Sequence, residues 1–232
     1  MRVRALVATV LAMAVVSGCA ETSQGRPVAS STDDVSATST SRTTSTSTSE
    51  SASPTPDFPT MGVTPTIRDA VPPNALVCLP SLTPGTPATA QIGVASAPKI
   101  VISLPAGWTA APAPAGLALT GPDGLSGAVA ISETALDPAA AFEKYADDIQ
   151  AQAPISSVSV LPAENCGYSG QRLMGVLSGG DQGKLTYEDR ITHVWTNTKD
   201  YLIVIHVAAP QGAPGFDAAS TTLTADFAIT IP

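Results

Sequence analysis

Aromatic side chains are scarce in this sequence. Phe, Tyr and Trp supply 4% of the 232 residues, so a core must be filled mainly by Val, Ile, Leu and Ala. Charge is thin as well, at 13% of residues, and it leans acidic: 11 Lys and Arg against 19 Asp and Glu give a net charge of -8. That balance opposes the phosphate neutralisation on which nucleic-acid affinity rests, and it argues against a nucleic-acid partner. Histidine occurs twice and cysteine three times, too scattered for metal-ligand spacing, so no metal or cofactor is expected. No apolar run reaches the roughly 20 residues that a spanning helix needs. What is plentiful is Ala, Pro and Thr, the composition of an exported protein more than of a cytosolic enzyme.

The amino terminus explains the export. Arg2 and Arg4 precede the apolar run Ala5 to Val16, which has the size of a signal-peptide core. Val16-Ser17-Gly18-Cys19 follows and resembles the bacterial lipobox, in which an aliphatic residue and two small ones precede a lipid-modified cysteine. Residues 1–18 are thus expected to be a lipoprotein signal peptide, with Cys19 as the lipidation site. The alternative is an ordinary signal peptide with an incidental cysteine. Each buried CH₂ contributes about 0.8 kcal/mol, so two or three acyl chains hold a domain at a membrane where one would not. Residues 19–65 read as a disordered tether, because the serines and threonines between Thr38 and Pro56 cannot build a core. It serves as a spacer or, with Pro54, Pro56 and Pro59 among the hydroxyls, as an O-glycosylated stalk. The expected location is the extracytoplasmic face of the cell membrane, reaching into the cell wall.

With Cys19 acylated, Cys78 and Cys166 remain, and an even remainder in an oxidising compartment points to a disulfide. Two free buried thiols are the alternative.

Residues 66–232 read as a single globular domain. Lys99 to Leu104, Gly116 to Thr120, Leu125 to Ser132, Ile155 to Leu161, Gln171 to Leu177, Lys184 to Trp195 and Tyr201 to Ala208 read as strands, separated by Gly-rich turns. Asp137 as N-cap and Pro138 at the first helical position open a helix to about Gln152, with Ala141, Phe142, Tyr145 and Ile149 on one stripe. Asp217 to Leu223 reads as a short helix and Phe227 to Ile231 as a terminal extended piece. Tyr201 to Ala208 is apolar on both sides except at His206, which predicts a central strand covered on each face by helices or other segments. Short turns imply antiparallel pairing, and the fold class is α+β.

Thr66-Ile67-Arg68-Asp69, Ile102-Ser103-Leu104-Pro105-Ala106-Gly107-Trp108 and Gly183-Lys184-Leu185 before a long strand, together with the lipobox and the Ser/Thr-rich tail, carry a resemblance to the LpqN/LpqT family of actinobacterial lipoproteins. The resemblance rests on the order of these segments, since no single one is specific. It implies a Mog1/PsbP-like α-β-α sandwich around an antiparallel sheet, and it brings no catalytic residues.

The residues themselves offer little for catalysis. Gly167-Tyr168-Ser169-Gly170 is one residue short of a serine-nucleophile motif. His193 and His206 lie within predicted strands and read as hydrogen-bonded sheet histidines, with no orienting carboxylate placed beside either. Glu133 and Asp137 flank a helix start, where capping accounts for them. Glu188 and Asp189 point to opposite faces of one strand and cannot act as paired carboxylates. Gly179 to Gly183 lacks phosphate-loop residues and is a turn. Trp108 and Trp195 read first as core residues, with the lining of an apolar ligand groove as the alternative. The sequence therefore predicts a non-enzymatic, membrane-anchored envelope module that binds or scaffolds a partner protein, a lipid or a glycan. The alternative is a carrier of an envelope lipid or other small apolar molecule.

Overall fold

Apolar residues on both sides of one strand require cover on both sides, and the strand Asp200–Pro210 has it. In the computed structural model, which describes residues 61–80, 84–180 and 183–232, this strand is the fourth of seven in a fully antiparallel sheet. The strands in chain order are β1 (Leu76–Cys78), β2 (Thr86–Ala90), β3 (Lys99–Leu104), β4 (Thr109–Ala113), β5 (Gly116–Thr120), β6 (Ser126–Thr134), β7 (Ile155–Pro162), β8 (Gly170–Gly180), β9 (Gly183–Trp195), β10 (Asp200–Pro210) and β11 (Ala228–Thr230). Helix α1 (Pro138–Gln150) follows β6, and α2 (Phe216–Leu223) precedes β11. The large sheet runs β4-β5-β6-β10-β9-β8-β7; a second, antiparallel sheet runs β1-β11-β3-β2. The molecule is mostly β with two helices among its described residues.

The two faces of the large sheet follow from alternation along β10. Tyr201, Ile203, Ile205 and Val207 join Ile100, Ile102, Leu104, Leu223, Phe227 and Ile229 in one cluster between the two sheets and α2. On the other face, Val204 packs with Phe142 of α1, Leu173 and Ile191, and Ala208 with Ile149, Leu177 and Tyr187. A second sheet thus supplies cover on one face, and the expected single sheet is in fact two. β1, β2 and β4, absent from the sequence reading, are short, and the latter two carry Pro87 and Pro112, which suit sheet edges and disguise a strand.

Local signals place α1 and the hairpins. The Asp137 side chain accepts from the Ala140 N–H at 2.9 Å, and Pro138 occupies the first turn. α1 ends at Gln150, two residues before the expected boundary, with no basic residue in its last turn. Between β5 and β6, the Gly121 N–H donates to the Leu125 carbonyl at 2.9 Å, closing the turn. A Cβ on Gly121 would lie 2.5 Å from the Trp108 ring, so only glycine lets that indole seal the core.

Residues 61–71 form a strap across the ends of β8 and β9. The Gly170 N–H donates to the Gly62 carbonyl at 2.8 Å, Gln171 Nε2 to the Met61 carbonyl at 2.8 Å, and the Val71 N–H to Asn197 Oδ1 at 2.9 Å. Met61 to Thr64, assigned to the tether by composition, are therefore hydrogen-bonded to the domain. Cys78 and Cys166 form a disulfide spanning 88 positions, which joins β1 of the small sheet to the loop between β7 and β8. The signal segment 1–18, Cys19 and the tether up to residue 60 lie outside the described residues.

Candidate functional site

α1 packs over β7, β8 and β9. That leaves the β6–β10 part of the same face partly uncovered, and a cleft of about 550 Å³ opens there. Its floor is apolar: the small side chains of Ala128 and Ala130 from β6, beside Leu202 and Val204 from β10. Ala141, Tyr145 and Ile149 of α1 form the roof, and Lys144 and Asp148 stand at the mouth, paired at 2.7 Å. A cleft of this size lies within the roughly 300–1,000 Å³ typical of small-molecule sites.

His206 stands at one end of the cleft, beyond Leu202 and Val204 on β10. The β9–β10 register sets Asp189 directly opposite it, and Nδ1 of His206 lies 2.5 Å from Oδ1 of Asp189. This corrects the sequence reading that no carboxylate could orient either histidine: cross-strand pairing supplied one that spacing along the chain cannot show. Asp189 is fully buried, and its Oδ2 has no hydrogen-bond partner among the described residues. A carboxylate accepts only, so Nδ1 carries the proton, and Nε2 is turned away from Asp189. Tyr187 stacks against His206 at 6.4 Å and donates its hydroxyl to the Ser157 carbonyl at 3.1 Å. Burial pushes the Tyr187 phenol up to about 12, with the Asp189 charge acting in the same sense. Tyr145 is raised further, again by burial first and Asp189 second.

A smaller pocket of about 160 Å³ lies between the strap and the end of β9, lined by Ile67, Asp69, Tyr168, His193 and Trp195. Arg68 sits 5.7 Å over the Trp195 ring and pairs with Asp200 at 3.1 Å. His193 Nε2 donates to the Leu136 carbonyl at 3.1 Å, and its Nδ1 is buried without a partner among the described residues. Burial lowers the His193 pKa, against the pull of that carbonyl and of Asp200.

The structure separates the two tryptophans. Trp108 is 8% exposed in the core between the sheets, whereas Trp195 lines the strap pocket, so they do not share a groove. Both histidines lie in strands and are hydrogen-bonded, His206 to Asp189 within the sheet and His193 to the loop carbonyl of Leu136. Glu188 and Asp189 do face opposite ways: Glu188 accepts from Thr224 Oγ1 at 2.7 Å and lies 3.3 Å from Arg172 Nε, on the face carrying α2. Beside it Arg190 Nη2 donates to the Glu164 carbonyl at 2.8 Å and to Asp226 at 2.9 Å. Ser169 spends its hydroxyl on the strap, donating to the Thr64 carbonyl at 2.7 Å. Glu133 pairs with Lys199 at 2.6 Å, and Asp137 caps α1. Among the described residues no group of three or more metal-ligating side chains occurs, and no helix is long and apolar enough to cross a membrane.

No family model matches the sequence, and no curated protein matches it either. Among solved structures, the chain is similar to LpqN of Mycobacterium tuberculosis, a protein involved in cell envelope biogenesis. The TM-score is 0.50 at 17% identity, over 62% of this chain and 91% of that one. It is also similar to cyanobacterial PsbP (CyanoP) from Synechocystis, with a TM-score of 0.40 at 14% identity, over 64% of this chain and 95% of that one. The likeness to LpqN shows a shared fold: two antiparallel sheets with few helices.

Proposed function

We propose that this chain is a lipid-anchored, non-catalytic binding module of the cell envelope, and that the cleft under α1 receives an envelope component or the surface of a partner protein. The carrying observation is the cleft itself, with an apolar floor and one oriented imidazole at its end. Such a surface gains from burying area while a single polar group fixes orientation. The LpqN-like fold and that protein's part in envelope biogenesis support the location, as does the lipobox-like Val16-Ser17-Gly18-Cys19. We read the architecture as a Mog1/PsbP-like sandwich in which the small sheet and α2 share the outer layer opposite α1. Asp189 and His206 orient a hydrogen bond in this account and turn over no substrate.

The test is crosslinking in the intact envelope from a photoreactive residue at Ser132, an exposed cleft position. An adduct with a defined partner or envelope molecule is expected; a free chain in every preparation contradicts the proposal.

The apolar floor also favours a second reading, carriage of a small apolar molecule or lipid. Native mass spectrometry of protein purified from its own membranes separates the two, because a carrier retains a bound mass and a scaffold does not.

A further inference from the structure

A sheet edge exposes a row of unpaired backbone N–H and C=O groups, and proteins guard such edges with prolines, bulges or charges. The two sheets have four edge strands: β1, β2, β4 and β7. Three are guarded. β1 is three residues long, with a register shift between Leu76 and Cys78; β2 carries Pro87 and β4 carries Pro112. β7 is different: Ile155 to Pro162 holds no charged residue, its pairing with β8 has no register shift, and its one proline is the last residue. Among the described residues nothing pairs with its outer side.

The side chains of β7 are also self-complementary. Ser156, Val158 and Val160 share the α1 face with their partners Leu177, Gly175 and Leu173, so Ile155, Ser157, Ser159 and Leu161 lie on the other. Ile155 is 66% exposed and Leu161 47%, two of the eight exposed large apolar side chains among the described residues. They stand at equal distances on either side of Val158, near the middle of the strand.

We propose that two copies of this chain pair antiparallel through β7, with Val158 opposite its own counterpart, Ile155 opposite Leu161 and Ser157 opposite Ser159. The two-fold arrangement covers both exposed apolar residues of each copy and pairs almost the whole strand. It joins the two large sheets into one continuous sheet. One strand pair falls at or below the low end of specific interfaces, about 1,200 Å², so the dimer is weak and concentration-dependent. Confinement of anchored copies to one membrane raises the effective concentration that it needs.

The register gives the test. Directly opposed residues in an antiparallel pair have Cα atoms about 4.5–5.5 Å apart, within disulfide reach. In the full chain in its own membranes, Val158→Cys should give an oxidised species at twice the chain mass on a non-reducing gel. The exposed-face double variant Ser157→Cys/Ser159→Cys should do the same, which keeps the test open if a change at Val158 disturbs folding. Ser156→Pro added to Val158→Cys should abolish the species while the Cys78–Cys166 bond still forms, because the Ser157 carbonyl turns inward to Tyr187 and the Ser156 N–H therefore faces the open side of β7. The proposal is overturned if both cysteine variants fold and remain monomeric, if they crosslink only to a different protein, or if the proline leaves the yield unchanged.

Discussion

Asp189 and His206 face each other across β9 and β10 with 2.5 Å between Oδ1 and Nδ1, and the carboxylate of this pair is fully buried. Removing one partner of a buried pair costs more than removing both, because the survivor keeps its desolvation penalty. His206→Ala should therefore destabilise the domain by roughly 3 kcal/mol, the low end for a buried pair, since His206 keeps 30% of its side chain exposed. His206→Ala combined with Asp189→Leu should recover part of that loss. Urea denaturation of the two variants and the wild type checks the order.

Acid should weaken the domain through His193. Burial holds its imidazole below the ordinary value, while the unfolded chain titrates near 6.5. As pH falls, the unfolded state takes up the proton first. The stability from the buried neutral ring is therefore fully present above about pH 6.5 and is lost progressively below it. In His193→Gln the side-chain amide can still donate to the Leu136 carbonyl but does not titrate. The gap between wild type and this variant should shrink from pH 7 to pH 5, read from denaturation midpoints.

Alkali acts through the buried phenols with the opposite sense. Tyr187 titrates near 12 and Tyr145 is also raised, against about 10 in the unfolded chain. Their contribution is complete below about pH 10 and is lost as pH rises towards 12. Phenolate absorbance of the native chain should lag behind that of the denatured chain over this window, and Tyr187→Phe should remove part of the lag.

The Cys78–Cys166 bond closes a span of 88 positions. On the chain-entropy account its loss costs roughly 4–5 kcal/mol. Cys78→Ser/Cys166→Ser should lower the denaturation midpoint accordingly, whereas a change within error would show that the bond adds little.

Much of this was written locally in the chain. Asp137 and Pro138 announced α1, Gly121 to Gly124 announced the β5–β6 turn, and alternation from Tyr187 to Trp195 assigned the two faces of β9 correctly. Compartment chemistry paired Cys78 with Cys166. The features that stayed hidden depend on register between distant segments. Asp189 meets His206 only because β9 and β10 pair as they do, and Trp195 meets the strap through distant ties such as Val71 to Asn197 and Arg68 to Asp200. The second sheet was missed because β1 is three residues long and β2 and β4 carry prolines, which removes the pattern that marks a strand. Trp108 packs in the core, as its residue type favours, because Gly121 admits its ring.

The cleft under α1 is the centre of the functional account, and filling it is the most direct test. Ala130 lies on the floor, half-buried, so Ala130→Trp should occupy the space without disturbing the core between the sheets. The measurement is the yield of the Ser132 photo-adduct in intact envelope, with the Cys78–Cys166 bond and the melting temperature as folding controls. A fall of about tenfold or more is expected, equivalent to about 1.4 kcal/mol of lost binding. An undiminished adduct from a correctly folded Ala130→Trp chain would contradict it.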